Sequence, residues 1–329
     1  MARVAGSGVE VSGVAEVAPG LRRIDSTMGS RRLAQWLVVG DEGALLFDTG
    51  IAGTVAERIA PALAKLGLAE EAVREVIVSH ADVDHYGGDA EARRLFGSAR
   101  LRAHASDRPL IESWEASAAT RYGWYRNHGL DYDPETWSWL ANAAGEETPL
   151  DGTVDEGEEI DVGGIAVRVL HLPGHSHGHV GLFEARSRTA IIADAAMADG
   201  FVDLAGERLS PPPYVDLDRY RETLGRLRAL KPARLGTAHF PAIEGAEVER
   251  FIDRCLAFTG EIDRALDTAL APTPRTLPEL LRACVDRLGG YREMELELSR
   301  SLGAHLEARV EAGSVKRIER DGLPAWRRP

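Results

Sequence analysis

From residue 36 onward the chain alternates short, apolar, β-branched runs with stretches of helical period, and few architectures accommodate that alternation. "WLVVG", "ALLFDTG" and "VREVIVSH" read as buried strands, and "GTVAERIAPALAKLG" and "GGDAEARRLFG" read as helices between or after them. This is the pattern of an α/β fold. Further on, "EEIDVGGIAVRVLHL" predicts a hairpin through its Gly-Gly turn. "HVGLFEA", "TAIIAD" and "ARLGTAH" read as strands, and "LDRYRETLGRLRAL" as the helix before the last of them. Sheet-forming sequence ends near Pro241. From about 246 to 312 the periodicity is helical, and the tail "GSVKRIERDGLPAWRRP" predicts a small hairpin around Asp321-Gly322. A length of 329 residues suits one main domain, here 1–245, with a helical appendage over 246–329.

Composition narrows the function classes. No apolar run approaches the ~18 residues that would span a bilayer, so a membrane-embedded protein is not expected. The start "MARVAGSGVEVSGVAEVAPG" lacks the charged and apolar blocks of a secretory signal, and the two cysteines, Cys255 and Cys284, sit in helical contexts. A reducing cytoplasm is the expected compartment. A net charge of -13 repels polyanions, which disfavours nucleic acid and makes a small molecule the expected partner. The oligomeric state is not set by these features.

One stretch interrupts the alternation. Trp114, Trp124, Trp137, Trp139, Tyr122, Tyr125 and Tyr132 all fall between 114 and 139. They can form either a helical subdomain with its own aromatic core or a lid over a pocket, and the lid reading sets an insertion at 106–150 with Trp124 and Trp137 as substrate contacts. Residues 131–159 then hold ten Asp or Glu and no Lys or Arg. Such a run is either a solvated loop or an acidic mouth that disfavours anionic substrates.

The densest chemistry lies in "VIVSHADVDHYGG". An apolar strand ends at Ser79, and His80, Asp82, Asp84 and His85 follow at spacings that suit a strand-to-helix turn, with Gly87-Gly88 opening the next helix. Imidazoles and carboxylates converging from one turn are what a transition metal requires. The arrangement resembles the metallo-β-lactamase superfamily, whose hallmark is a His-x-His-x-Asp-His loop after a strand. Further landmarks follow in order: "ALLFDTG", "HLPGHSHGHVGLF", "IIADAAM" with Asp194, and "LGTAHFPAIEG" with His239. The resemblance covers about residues 15–245 and implies an αββα sandwich with two divalent metal ions at the edge where strand-end loops meet.

Carried over by position, the resemblance implies a first site of His80, Asp82 and His175, a second of Asp84, His85 and His239, and Asp194 bridging both. A hydroxide between metals ~3.5–4 Å apart would be the nucleophile, with Asp84 orienting it and accepting its proton. His171 and His179 are expected as hydrogen-bonding partners of the ligands. His177 reads as a polar loop residue, and His104, His128 and His305 as structural or exposed. Tyr86 and Tyr214 are candidate leaving-group acids, and Tyr214 is also a candidate substrate contact.

Asp82 departs from the family pattern, because the loop here reads His-x-Asp-x-Asp-His. Two dications, three carboxylates and a hydroxide make a site near neutral, whereas two carboxylates leave it about +1. With Asp82 as a ligand the first site is more anionic and oxygen-rich, which favours iron or manganese relative to zinc, the metal otherwise expected, and makes the bound water less acidic. The alternative is that Asp82 only braces the loop through hydrogen bonds. The reading is a hydrolase of an ester, thioester or lactone of a small, partly apolar molecule. A di-iron or manganese oxidoreductase or oxygenase, an endoribonuclease, and a non-catalytic binding protein stand as alternatives. The appendage resembles the winged-helix-like tail of some superfamily members, both nucleases and thioester hydrolases.

Overall fold

The computed structural model describes residues 13–293 and 295–329; the first twelve residues of the segment read as lacking a leader lie outside them. A seven-stranded sheet is built in chain order from β1 (Gly13–Ala18), β2 (Leu21–Met28), β3 (Arg31–Val39), β4 (Ala44–Phe47), β5 (Val73–Ile77), β6 (Arg100–Ala103) and β7 (Gly152–Thr153). Short turns join β1 through β4, which therefore run antiparallel. Helical crossovers separate the later strands, which run parallel.

The second sheet takes β8 (Glu159–Asp161), β9 (Ala166–His171), β10 (Val180–Glu184) and β11 (Thr189–Ala193). A small hairpin, β12 (Phe201–Val202) and β13 (Arg208–Ser210), leaves it. The helix Leu217–Leu230 then leads back to β14 (Arg234–Thr237), parallel to β11, and β15 (Ile243–Glu244) forms the edge. Sheet structure thus runs slightly past Pro241, because the chain after "AHF" turns back along β14.

The two-residue alternation of each strand sorts its side chains into layers. Trp36, Val38, Leu45, Phe47 and Ile77 point inward to meet Val167, Val169, Val180, Leu182 and Ile191 of the second sheet. Leu37, Leu46 and Val76 point outward and are covered by Val55, Ile59 and Leu63 from the helical stretch 55–65 and by Phe96. Trp36 is the thickest plug between the sheets. Its ring lies against Gly236, where a Cβ would come within 2.5 Å of the indole. The result is an αββα sandwich with a C-terminal helical region.

That region shares its core with the sandwich. Leu170, Ile192 and Leu235 from the outer face of the second sheet form one apolar cluster with Leu217 and Leu224, with Phe251 and Phe258 of helix Ala246–Ala269, and with Leu280, Leu302 and Trp326. After Ala269 come β16 (Arg275–Thr276), helices Leu277–Val285 and Leu298–Glu311, and a hairpin of β17 (Lys316–Arg320) and β18 (Leu323–Arg327), the three strands forming one small sheet. From helix Ala246–Ala269 onward the order of these elements is helix, strand, helix, helix, strand, strand. The hairpin turns at Asp321 and Gly322, both with positive φ, as a two-residue turn matching strand twist demands. Among the described residues no helix is long and apolar enough to cross a membrane.

Between β6 and β7, helices Arg108–Ile111, Trp114–Thr120 and Pro134–Ala143 and the turn Gly123–His128 form the aromatic insertion. Trp326 is fully buried, and its ring faces His128 of that insertion at 6.1 Å. Trp326→Ala should therefore cost about 3–5 kcal/mol, the range for deleting a buried aromatic side chain. Chemical denaturation checks this, and a loss below about 1 kcal/mol would mean that the tail is not part of the common core.

Candidate metal centre

Four strand ends converge at one edge of the sandwich, and the local backbone there is unusual. Asp48, directly after β4, has φ 69°, a left-handed conformation that only a fixed network makes worthwhile for a residue with a side chain. Its carboxylate accepts from the backbone N–H of Ser79 at 2.7 Å, from the Ser79 hydroxyl at 2.9 Å and from His85 Nδ1 at 2.8 Å. Gly174 in the Pro-Gly-His turn has φ 137°, and a Cβ there would lie 2.5 Å from the Tyr220 Cα, so only glycine fits.

The imidazoles of His80, His85, His175 and His239 are aimed alike. Each engages its Nδ1: His80 with Ser79 Oγ at 2.9 Å, His85 with Asp48, His175 with the Pro213 carbonyl at 2.7 Å, and His239 with the Arg32 carbonyl at 2.8 Å. The acceptors imply that Nδ1 carries a proton in each ring, so that Nε2, when it is unprotonated, is the electron-pair donor toward a common space. His239 Nε2 lies 3.3 Å from Asp84 Oδ2 and 3.2 Å from Asp194 Oδ2, and His85 Nε2 lies 3.6 Å from Asp194 Oδ2.

Two groups of donor atoms are each compact enough to hold an ion. One is His80, His175 and Asp194; the other is Asp84, His85 and His239. Asp194, counted in the first, also touches imidazoles of the second, so it stands between them. The buried Nε2 atoms of His80 and His85 have no hydrogen-bond partner. Buried polar atoms are rarely left so, and a metal ion is the partner their geometry fits.

Charge follows the same geometry. Burial disfavours the cation of His85, but Asp48, Asp84 and Asp194 outweigh it and hold the imidazole well above its ordinary range. His239 is likewise penalised by burial yet is pushed up to about 9 by Asp194 and Asp84. Burial resists ionisation of Asp84, but His85 and His239 bring it down to about 2. His179, expected to hydrogen-bond to a ligand candidate, instead stacks on His80 at 4.7 Å with neither ring nitrogen hydrogen-bonded, and burial beside His80 and His175 keeps it neutral.

Asp82 does not face the site as a bare carboxylate. Its Oδ2 approaches His175 Nε2 at 2.9 Å and His80 Nε2 at 3.3 Å, but Arg121 grips both oxygens, Nε to Oδ1 and Nη2 to Oδ2, each at 2.7 Å. The near-neutral charge count made from the sequence omitted this guanidinium. Burial opposes the charge on Asp82, and Arg121, His175 and His80 hold it well below the usual carboxylate range.

Other expectations are corrected. A cavity of about 390 Å³ opens before the groups, walled by Met28, Tyr122, Tyr132, Trp139, Phe201 and Arg300 among others, and Trp124, Trp137 and Tyr214 are not in its wall. Trp124 stacks on His128 at 4.0 Å and lies under Arg300. Trp137 packs against Trp114 and Tyr132. Tyr214 is fully buried, bonded through its hydroxyl to His305 Nε2 at 2.7 Å. Tyr86 is buried too and is absent from the wall. His171 stacks on His104 at 4.2 Å and bonds to the His177 carbonyl rather than to a ligand candidate. Asp107 was missed: its carboxylate accepts from the Ala81 N–H at 3.1 Å, Ser176 Oγ at 2.5 Å and the Gly178 N–H at 2.7 Å, tying the two histidine loops together.

Known proteins resemble this chain to differing extents. The family model described as the metallo-beta-lactamase superfamily matches residues 34–239. Hydroxyacylglutathione hydrolase of Aeromonas salmonicida is 28% identical over 145 residues, 44% of this chain and 40% of that protein. Hydroxyacylglutathione hydrolase GloC of Haemophilus influenzae is 26% identical over 161 residues, 49% of this chain and 64% of that protein. The chain thus spans less than two thirds of the curated relatives' length. The crystal structure of a metallo-beta-lactamase family protein from Thermus thermophilus superposes with a TM-score of 0.75 at 22% identity, covering 95% of this chain and 100% of that one, a likeness of fold.

The raised imidazoles make metal binding proton-linked. Without metal, His85 and His239 are cationic at pH 7, so loading both groups should release about two protons, and the calorimetric heat should vary with buffer ionisation enthalpy. The share of the release that comes from His239 should fade as pH rises through about 9, where His239 loses its proton without metal. In the metal-free protein the stability that the His239 cation contributes is complete below the unfolded value of 6.5 and is lost as pH rises through about 9. Buffer-independent heats at pH 7 would overturn this assignment.

Proposed function

The chain belongs to the metallo-beta-lactamase superfamily, and we propose that it is a hydrolase using two divalent metal ions, zinc by preference, to cleave an ester, thioester or lactone of a small, partly apolar molecule. The observation that carries the reading is the pair of adjacent His/Asp groups, with Asp194 between them, at the floor of a cavity with apolar and aromatic walls. His80, His175 and Asp194 would hold one ion, Asp84, His85 and His239 the other. When bound, such a pair polarises the scissile carbonyl and lowers the pKa of water toward neutrality.

The chain's own residues do the rest. Asp84, half-buried and in contact with His239, is the candidate to orient water and accept its proton. Tyr122, Tyr132, Trp139 and Phe201 supply the apolar surface that excludes water from a substrate. The curated relatives' names denote hydrolysis of an acylated glutathione, which supports a thioester within the proposed class. The oxidoreductase alternative drew on a bare Asp82, and the Arg121 pair removes that support. Cys255 and Cys284 are free and buried, which supports a reducing, cytoplasmic compartment.

Protein stripped and reloaded with zinc should bind about two ions per chain and cleave members of an ester, thioester and lactone panel. His85→Ala and Asp194→Ala should lower kcat/KM by about a thousandfold or more and reduce bound metal. A folded, metal-loaded protein inert on the whole panel would overturn the reading.

The cavity wall yields a separate contrast. Trp139, on the wall and 38% exposed, can be cut to Ala with little loss of stability but should raise KM several-fold. Trp124→Ala should instead lower the melting temperature with kinetics little changed, since that ring packs on the tail. The reverse pattern would put Trp124 in the binding site after all.

A further inference from the structure

Arg121 follows the helix Trp114–Thr120 in the aromatic insertion, 39 residues from Asp82 in sequence. Its side chain is 9% exposed, and the guanidinium fits the carboxylate in a fork of two parallel 2.7 Å bonds. Nη1 donates to the His175 carbonyl at 3.1 Å, and Nη2 lies 3.2 Å from His175 Nε2. Next to it, the Tyr122 hydroxyl accepts from the Val83 N–H at 3.0 Å and reaches Asp82 Oδ1 at 3.4 Å. The insertion therefore clamps the loop carrying Asp82 and delivers one fixed positive charge to the edge of the His80, His175 and Asp194 group.

From this geometry we infer that Arg121 is the counter-charge of Asp82, so that the two enter the first metal group as one neutral unit and the site keeps the charge it would have with a neutral imidazole at position 82. The inference rests on the two-metal reading above. Two dications facing Asp82, Asp84 and Asp194 carry one net positive charge; the guanidinium adds a second, the same total that two carboxylates alone would leave. Arg121 is thus a positioning residue. It fixes the carboxylate plane, withholds part of the carboxylate's charge from the metal, and makes docking of the insertion depend on position 82. A bidentate guanidinium is suited to this where lysine is not, because it binds both oxygens in one plane.

The consequence runs against the sequence motif. Asp82→His restores the family's commoner loop, yet it leaves an unpaired buried guanidinium beside two imidazoles. The test is a double-mutant cycle of Asp82→His and Arg121→Met, with Arg121→Lys alongside. Each metal-free protein is checked for folding by circular dichroism, and zinc and manganese affinities are measured separately by competition with a chromogenic chelator. Asp82→His should lose about tenfold or more in zinc affinity for one of its two ions, and the double variant should recover most of it. Arg121→Met alone should bind that ion about tenfold tighter, with preference shifted toward manganese, and Arg121→Lys should fall between it and the parent.

Zinc binding by Asp82→His at least as tight as the parent's, or single effects that simply add, would overturn the inference. If Asp82→His does not fold, Arg121→Met decides alone, and unchanged or weakened affinity there overturns it. A parent protein that binds no metal would instead overturn the two-metal reading, so the two failures are distinguishable.

Discussion

The site hangs on the carboxylate of Asp48. Three hydrogen bonds from Ser79 and His85 meet on it, buried, at a residue held in a left-handed conformation. Those bonds lock the end of β4 to the end of β5, so the loop that follows leaves the sheet in one direction only. By accepting from His85 Nδ1, Asp48 sends the other nitrogen of that ring toward Asp194. By accepting from the Ser79 hydroxyl, it leaves the Ser79 oxygen free to accept from His80 Nδ1, which orients the second ring. One carboxylate thus aims two imidazoles, one in each metal group. Asp107 does comparable work at the other side, holding the 79–86 loop against the 172–179 loop. Rigid support of this kind is what keeps donor atoms converged when mutual repulsion among four imidazoles would push them apart.

What the sequence disclosed was what is local. The strand-to-helix turns, the hairpins and the spacing of His80, Asp84 and His85 are fixed by neighbours within a few residues, and the structure brings all seven proposed ligands to one edge. Contacts between distant segments were not legible. Nothing in "HADVDH" says that an arginine 39 residues on will take both oxygens of Asp82. Aromatic density at 114–139 announced a packed element without saying which ring faces which neighbour. In the event Tyr122, Tyr132 and Trp139 reach the cavity, while Trp124 and Trp137 pack behind it. His171 carried the right residue type beside the right motif, but strand alternation turns it to His104 instead.

The C-terminal region shows how a boundary drawn on periodicity can mark a change of element without marking a change of core. Helix Ala246–Ala269 buries Phe251, Ile252, Phe258 and Ile262 on the face that covers Leu235 and Ile192 of the second sheet. Without that cover the outer face of the sheet would be an apolar patch in water. The helix completes the sandwich as much as it begins the appendage, and the hairpin that follows reaches round to the aromatic insertion through Leu323, Trp326 and His128.

Charge has to be counted in space before it is counted along the chain. The acidic run 131–159 reads along the chain as either a solvated loop or a mouth hostile to anions, and the fold disperses it. Asp131 pairs with Arg126, Glu146 with Arg94, Asp151 with Arg93, Glu156 with Arg226 and Glu158 with Arg102. Of the ten carboxylates only Asp133 and Glu135 line the cavity, and its wall also holds Arg31, Arg121 and Arg300. The same correction applies at shorter range to Asp82, whose extra negative charge the motif advertises and whose partner the motif omits. In both places the field at the site is set by residues brought in from other elements. A reading of metal preference or substrate charge taken from one loop alone therefore assigns to that loop a field that belongs to the whole pocket.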